Sequence, residues 1–218
     1  MNMSARNTLH PRIADHLAGL EATGGVAFPA AAEALGAWLR GGRARGESLV
    51  VVVVCTGNSR RSMLGAMMGN AAASYLGLPA VRFLSAGTSP SAFHARTIQA
   101  LRAIGFEVAP TGDEAPRGPE GLANPRYLVR WGTNPDQRLV EYSKVLGDPA
   151  LPREGFAAVM VCSQADAGCP IVPGARIRTS APYPDPKSAD GTAQEAERYA
   201  LTRDALARLL LAALRKCI

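Results

Sequence analysis

Val50-Val51-Val52-Val53-Val54-Cys55-Thr56-Gly57-Asn58-Ser59-Arg60-Arg61-Ser62 reads as a strand, a tight loop and the start of a helix. Five β-branched valines in a row suit a strand buried on both faces, as in a parallel sheet. Cys55 closes the run, and Arg61 follows six residues later. Beyond Ser62, the apolar positions Leu64, Met67 or Met68, Ala71 and Tyr75 take a helical period. A strand, a small-residue loop and a helix in that order gather backbone N–H groups and the positive end of a helix around one point, which makes an anion site. A cysteine and an arginine on its rim turn that site into a candidate reaction centre.

Working outward, strands alternate with helices. Ala80 to Leu84 reads as a short strand running into a turn, Ser85-Ala86-Gly87-Thr88, and Ala95, Ile98 and Leu101 mark a helix ended by Gly105. Phe156 to Val161 is a second buried strand, ending at Cys162 as the first ends at Cys55. Arg176 to Ser180 is a last strand, followed by Tyr183-Pro184-Asp185-Pro186. Thr192-Ala193-Gln194-Glu195 has the form of a capping box, and Tyr199, Leu206, Leu209, Leu210 and Leu214 give the final helix its apolar stripe. The pattern predicts an α/β fold, a doubly wound, Rossmann-like, four-stranded parallel sheet with the anion-binding loop after its first strand. Ligands in such sheets bind at the carboxyl ends of the strands. Cys55, Cys162 and Asp185 all fall just past such ends.

Two regions stand outside this alternation. Residues 1–47 form a helical N-terminal extension, with one helix opened by Pro11 (Ile13, Leu17, Leu20) and another by Pro29 (Leu35, Trp38, Leu39). Gly41 to Gly46 reads as a flexible basic link into the first strand. The extension is expected to cap the core or to self-associate. Residues 48–218 read as the main α/β domain, interrupted at about 109–150 by a Pro- and Gly-rich insertion carrying Tyr127, Arg130, Trp131, Arg138, Tyr142 and Lys144. Those aromatics and arginines would line a groove, or pack in a β-hairpin on the core. Nucleic-acid binding is the lesser reading.

The 218 residues, 47% hydrophobic and 19% charged, are enough to bury a proper core. The formal charge of +6 suits an anionic partner, although solvated arginines on helix faces account for much of it. No apolar run reaches the length of a membrane span, and Arg6, Arg12 and Asp15 interrupt the segment where a secretory signal would need an apolar stretch. A cytoplasmic, reducing location is expected, in which the four cysteines are reactive or buried rather than a disulfide framework.

Helix-terminal N–H groups and a guanidinium both favour a thiolate at Cys55, a nucleophile for the central atom of a tetrahedral oxyanion. Arg61 offers a planar fork for two of its oxygens. Gly57 lets the backbone come close, and the Ser62 hydroxyl is placed to donate to the sulfur.

The octapeptide from Cys55 to Ser62 resembles the C-x5-R-S loop of the low-molecular-weight protein tyrosine phosphatase superfamily, which includes the thioredoxin-coupled arsenate reductases. Ser85-Ala86-Gly87-Thr88 is similar to that family's next motif. The resemblance implies Cys55 as nucleophile, Arg61 as oxyanion clamp and Asp185, held between prolines, as general acid. It also implies Thr56, Gly57, Asn58, Ser59, Arg60 and Ser62 as the oxyanion-binding loop. Cys162 and Cys169, seven apart, have poor spacing for a structural zinc, and no metal or bound cofactor is expected. The pair resembles the redox segment of the arsenate reductases. In that reading Cys55 attacks arsenate, Cys162 attacks Cys55 to release arsenite, and Cys169 takes over the disulfide for reduction by thioredoxin or another external thiol. The alternative is hydrolysis of a phosphate ester through a Cys55 phosphoenzyme, and a non-catalytic oxyanion binder is a third. Arg60 stands where relatives often carry a second loop cysteine, so it is expected to add positive charge beside the anion. Lys187 stands where the phosphatases usually have a tyrosine, and Phe93-His94-Ala95-Arg96 replaces their Asn-Pro pair. Cys217 matches nothing.

Overall fold

The computed structural model describes residues 8–218, so the first seven residues of the N-terminal extension lie outside the described residues. Strand β1 (Leu49–Cys55) is buried almost throughout, and pairs in parallel with β2 (Val81–Gly87) on one side and β6 (Phe156–Met160) on the other. With β7 (Ala175–Ser180) beside β6, the order β2-β1-β6-β7 makes a four-stranded parallel sheet. The five valines therefore occupy an inner strand, where branched side chains pack against neighbours on both faces.

The helix after the loop, α3 (Arg61–Tyr75), packs on this sheet and is buried nearly all round. A Cβ on Gly69 would stand 2.4 Å from the ring of Phe83, and one on Gly65 2.9 Å from a methyl of Val53. Glycine at these positions is what lets the helix approach, and it seats the start of α3 directly against the end of β1.

The extension supplies α1 (Pro11–Thr23) and α2 (Pro29–Ala44), each with proline in its first turn. They pack on the C-terminal helix α6 (Glu195–Arg215), so the extension caps the core. Helix α2 runs on through Gly41, Gly42 and Arg43, which were expected to be a flexible link. Gly42 is packed so tightly on Leu49 that a Cβ would meet its Cδ2 at 2.4 Å, and this packing overrides the poor helical propensity of the two glycines.

The turn expected at Ser85-Ala86-Gly87 is instead the end of β2, in register opposite Val53, Val54 and Cys55. Nor does the capping box form as expected. Gln194 occupies the N-cap of α6 without a side-chain bond, while the Thr192 hydroxyl donates backward to the Ala189 carbonyl at 2.8 Å. Helix α4 (Ala95–Arg102) is capped by His94, whose ring accepts from the Arg96 N–H.

The insertion is a second sheet, three antiparallel strands in the order β3 (Glu107–Glu114), β4 (Pro125–Arg130) and β5 (Arg138–Glu141). Its aromatics are packing residues. Trp131 is buried and donates to Ser74 on α3, and Tyr127 meets Phe93 edge-on. Among the described residues no helix is long and apolar enough to cross a membrane.

Candidate active site

A loop that holds an anion with its N–H groups must turn its carbonyls away and satisfy them elsewhere. Here the partners are found on three separate segments. The Thr56 carbonyl accepts from Ser89 N–H at 2.9 Å, and that of Ser59 accepts from His94 N–H at 3.2 Å and from the Thr97 hydroxyl at 3.1 Å. The Gly57 carbonyl takes three donors: Ser91 N–H at 3.0 Å, the Ser91 hydroxyl at 3.2 Å and the Ser143 hydroxyl at 3.1 Å. Because a trans peptide points its N–H opposite to its C=O, the N–H groups of Gly57, Asn58 and Arg60 face the other way, into the loop.

Asn58 holds the tightest bend, with φ at +40°, a conformation asparagine tolerates better than most residues. Its buried side chain is fixed at both ends. Nδ2 donates to the Ser62 hydroxyl at 2.8 Å, and Oδ1 accepts from Lys144 N–H at 2.7 Å. With one lone pair of the Ser62 oxygen so occupied, its own hydrogen is free to donate to Cys55 Sγ, 3.1 Å away. Sequence and structure agree on that contact.

Arg61, nearly buried, extends toward the loop that follows β7. One of its terminal nitrogens donates to the Tyr183 carbonyl at 2.9 Å and the other to an Asp185 carboxylate oxygen at 2.6 Å. Asp185 in turn caps a single 3-10 turn, Pro186–Ala189, accepting from Lys187 N–H at 3.1 Å. Cys55, the loop, Arg61 and Asp185 thus meet at one cavity of about 440 Å³ at the carboxyl end of the parallel sheet. Glu120 and Leu122 of the insertion and Lys187 stand on its rim.

Arg60 is placed otherwise than expected. Its side chain turns toward α6, with Nε donating to the Tyr199 hydroxyl at 2.6 Å and Nη2 to Asp190 at 2.8 Å, so the extra charge beside the anion is already paired. Tyr199, Asp190 and His94 form a cluster at this edge, with the Tyr199 oxygen 3.2 Å from His94 Nδ1. Burial, then the Arg60 charge, hold the His94 pKa below its usual value, so the imidazole stays neutral. Nothing local in the sequence marks Tyr199, Asp190 or Ser143 as belonging to the site, since each comes from a distant segment.

Cys162 sits at the end of β6 beside the loop, its Sγ 3.4 Å from the Thr56 hydroxyl and 3.3 Å from the Ala165 N–H that it caps. Cys169 closes the other end of the short helix α5 (Ser163–Gly168). At about 1.5 Å of rise per residue the two lie roughly 10 Å apart along the helix, too far for a disulfide, whose Cα atoms stand about 4.4–6.8 Å apart. Pairing them would require α5 to unwind. Cys217 is buried among the last turns, donating to the Leu214 carbonyl at 2.9 Å, and burial pushes its thiol pKa up.

This geometry defines a class: an α/β protein with a cysteine at a strand end, an outward-bonded loop of amides and an arginine opposite an acid. Within that class, the family model for low molecular weight phosphotyrosine protein phosphatase matches residues 50–114, from β1 to the end of β3, and over this stretch the chain resembles that superfamily. Solved structures align over most of the chain. A low-molecular-weight phosphotyrosine phosphatase of Vibrio cholerae O395 is 16% identical, with 77% of this chain and 93% of that chain covered and a TM-score of 0.45. A YwlE mutant of Bacillus subtilis is 18% identical, covering 77% and 97% with a TM-score of 0.47. A low-molecular-weight tyrosine phosphatase of T. tengcongensis is 18% identical, covering 78% and 99% with a TM-score of 0.48. Comparison with curated proteins returns no match. None of these matches singles out the arsenate reductase branch.

Proposed function

We propose that this protein is a phosphatase that cleaves phosphate monoesters through a covalent intermediate on Cys55. The observation that carries the reading is the Arg61–Asp185 contact at 2.6 Å across the mouth of the cysteine loop. An incoming phosphate competes with the Asp185 carboxylate for the Arg61 fork. Binding therefore releases the carboxyl group toward the leaving oxygen while Arg61 and the loop amides hold the non-bridging oxygens. Freed from Arg61, the Asp185 carboxylate takes up a proton from solvent; the Cys55 thiolate then attacks phosphorus, the P–O bond to the leaving group breaks, and Asp185 passes that proton to the leaving oxygen. Asp185, now a carboxylate, takes a proton from water, which attacks phosphorus. The P–S bond breaks, and the departing thiolate is received by the Ser62 hydroxyl.

The test is turnover of 4-nitrophenyl phosphate, with acid trapping of a phosphocysteine. Cys55→Ser should abolish turnover, and Asp185→Asn should lower kcat about 10²- to 10⁴-fold, the usual contribution of a positioned acid. Tight phosphate binding without turnover would instead make the protein an oxyanion binder.

One observation favours a second reading, arsenate reduction with thioredoxin as electron donor: the Cys162 thiol stands against the loop residue Thr56. In that reading Cys162→Ser stops arsenate turnover and spares ester cleavage. Arsenate turnover that continued in this variant would exclude the relay through Cys162 and Cys169.

A further inference from the structure

The Arg60 side chain takes no part in the proposed chemistry, yet it ties the loop to α6 and to the segment after β7. Its guanidinium donates to both Tyr199 and Asp190, and the Tyr199 hydroxyl donates to the second Asp190 oxygen at 2.8 Å. The three groups close a ring that joins the phosphate loop, α6 and the segment after β7. Burial alone would raise the Asp190 pKa, but the Tyr199 hydroxyl and the Arg60 charge outweigh it and hold the carboxyl below its usual range. Burial lifts the Tyr199 hydroxyl far above its ordinary value, so it remains a donor.

What the ring holds matters more than its strength. Asp190 and Asp185 are the two ends of one 3-10 turn. Asp185 caps its start, and Asp190 closes it by donating its N–H to the Lys187 carbonyl at 3.0 Å. Pro186 begins the turn and fixes its first φ angle. A short turn pinned at one end has little freedom at the other.

We propose that Arg60, Asp190 and Tyr199 form a positioning clamp that holds the acid-bearing turn over the phosphate loop and so sets how well Asp185 meets the leaving oxygen. The inference rests on the phosphatase reading, and its test separates the two. A proton from Asp185 is needed for a poor leaving group such as that of phenyl phosphate and is nearly dispensable for that of 2,4-dinitrophenyl phosphate. Asp185 also acts in the hydrolysis step that all esters share, so the comparison is made in kcat/KM, which ends at phosphoryl transfer. Asp190→Asn should lower kcat/KM on phenyl phosphate roughly ten- to a hundredfold, the cost of misplacing a catalytic group by about an ångström. The kcat/KM for the dinitrophenyl ester and inhibition by orthophosphate should stay close to wild type. In an Asp185→Asn background the same change should cost nothing further, because the group it positions is gone.

Tyr199→Phe, which removes one hydroxyl and keeps the ring packing, should move the leaving-group dependence in the same direction, and it decides the matter if Asp190→Asn does not fold. Equal losses of kcat/KM on both esters, or a weakened orthophosphate inhibition, would overturn the clamp in favour of a strap that merely holds the loop. Turnover of neither ester by the unaltered protein would defeat the phosphatase reading, and the clamp with it. Turnover of both, with the variants keeping the original ratio, would defeat the clamp alone.

Discussion

The insertion places a buried ion pair under the phosphate loop, and taking that pair apart is the sharpest test of how the loop is supported. Glu141 and Lys144 have side chains 0% and 4% exposed. One Glu141 oxygen accepts from the Lys144 ammonium, from the Ser85 hydroxyl at 3.0 Å and from Tyr142 N–H at 3.2 Å. The other has no partner among the described residues. Removing one charge strands the other, so Lys144→Met or Glu141→Leu alone should cost about 3–5 kcal/mol. At about 2–4 °C per kcal/mol for a chain of this size, each should lower Tm by roughly 6–20 °C. The double variant Glu141→Leu/Lys144→Met removes the stranded charge and should return near the original stability, because well-packed apolar groups replace a buried pair at little or no cost. It should also retain ester cleavage, since Lys144 reaches Asn58 and Gly87 through its backbone N–H and carbonyl, not its ammonium. Thermal and urea unfolding of the four proteins, with 4-nitrophenyl phosphate turnover beside them, provide the readout. A single variant costing less than about 1 kcal/mol, or a double variant no better than the worse single, would refute the uncompensated-charge argument.

Two further outcomes rest on contacts elsewhere in the fold. A Cβ on Gly87 would stand 2.5 Å from the Thr56 carbonyl oxygen and 2.8 Å from the Asn58 nitrogen. Both are backbone atoms of the loop, so Gly87→Ala should cost about 1–3 kcal/mol of stability and weaken orthophosphate as a competitive inhibitor; an unchanged inhibition constant would contradict it. Asp204 is raised by burial but held below its usual pKa overall by hydrogen bonds from His16 and Arg203, and Asp190 is lowered too. A carboxyl whose folded pKa lies below its unfolded one stabilises fully above the unfolded value and ceases to as pH falls through the folded one. Tm should therefore hold steady down to about pH 4 and drop below it, with a shallower drop in Asp204→Asn; an equally steep drop in the variant would assign the acid limb elsewhere.

How much of this was readable beforehand depended on whether the physical cause was local. The valine run, the cysteine and arginine six residues apart and the helix after them are neighbours in sequence, and the strand, loop and helix they predict are all present. Where packing overrules propensity, the reading failed. Gly41 and Gly42 look like a linker, yet they are helical because α2 must lie flush on Leu49. Gly87 looks like a turn, yet it is strand because its N–H and carbonyl are taken by Lys144 and Leu146. The insertion was harder still, because Pro110, Gly112 and Pro125 interrupt the alternation that would have announced β3 and β4.

Arg60 shows the limit most clearly, and also why it matters for function. As a letter in the loop it is a positive charge beside an anion; as a side chain it belongs to Asp190 and Tyr199, 130 and 139 residues away. No periodicity or spacing encodes a pairing at that distance, since only the folded sheet brings the loops after β1 and β7 to one edge. The same argument bears on the cysteines. Their seven-residue spacing is legible, but the helical turn between Cys162 and Cys169 is not, and it is this turn that decides which chemistry is near at hand. Ester cleavage needs only groups that already meet around Cys55, Arg61 and Asp185, whereas a cysteine relay must first break the cap that Cys162 provides to α5.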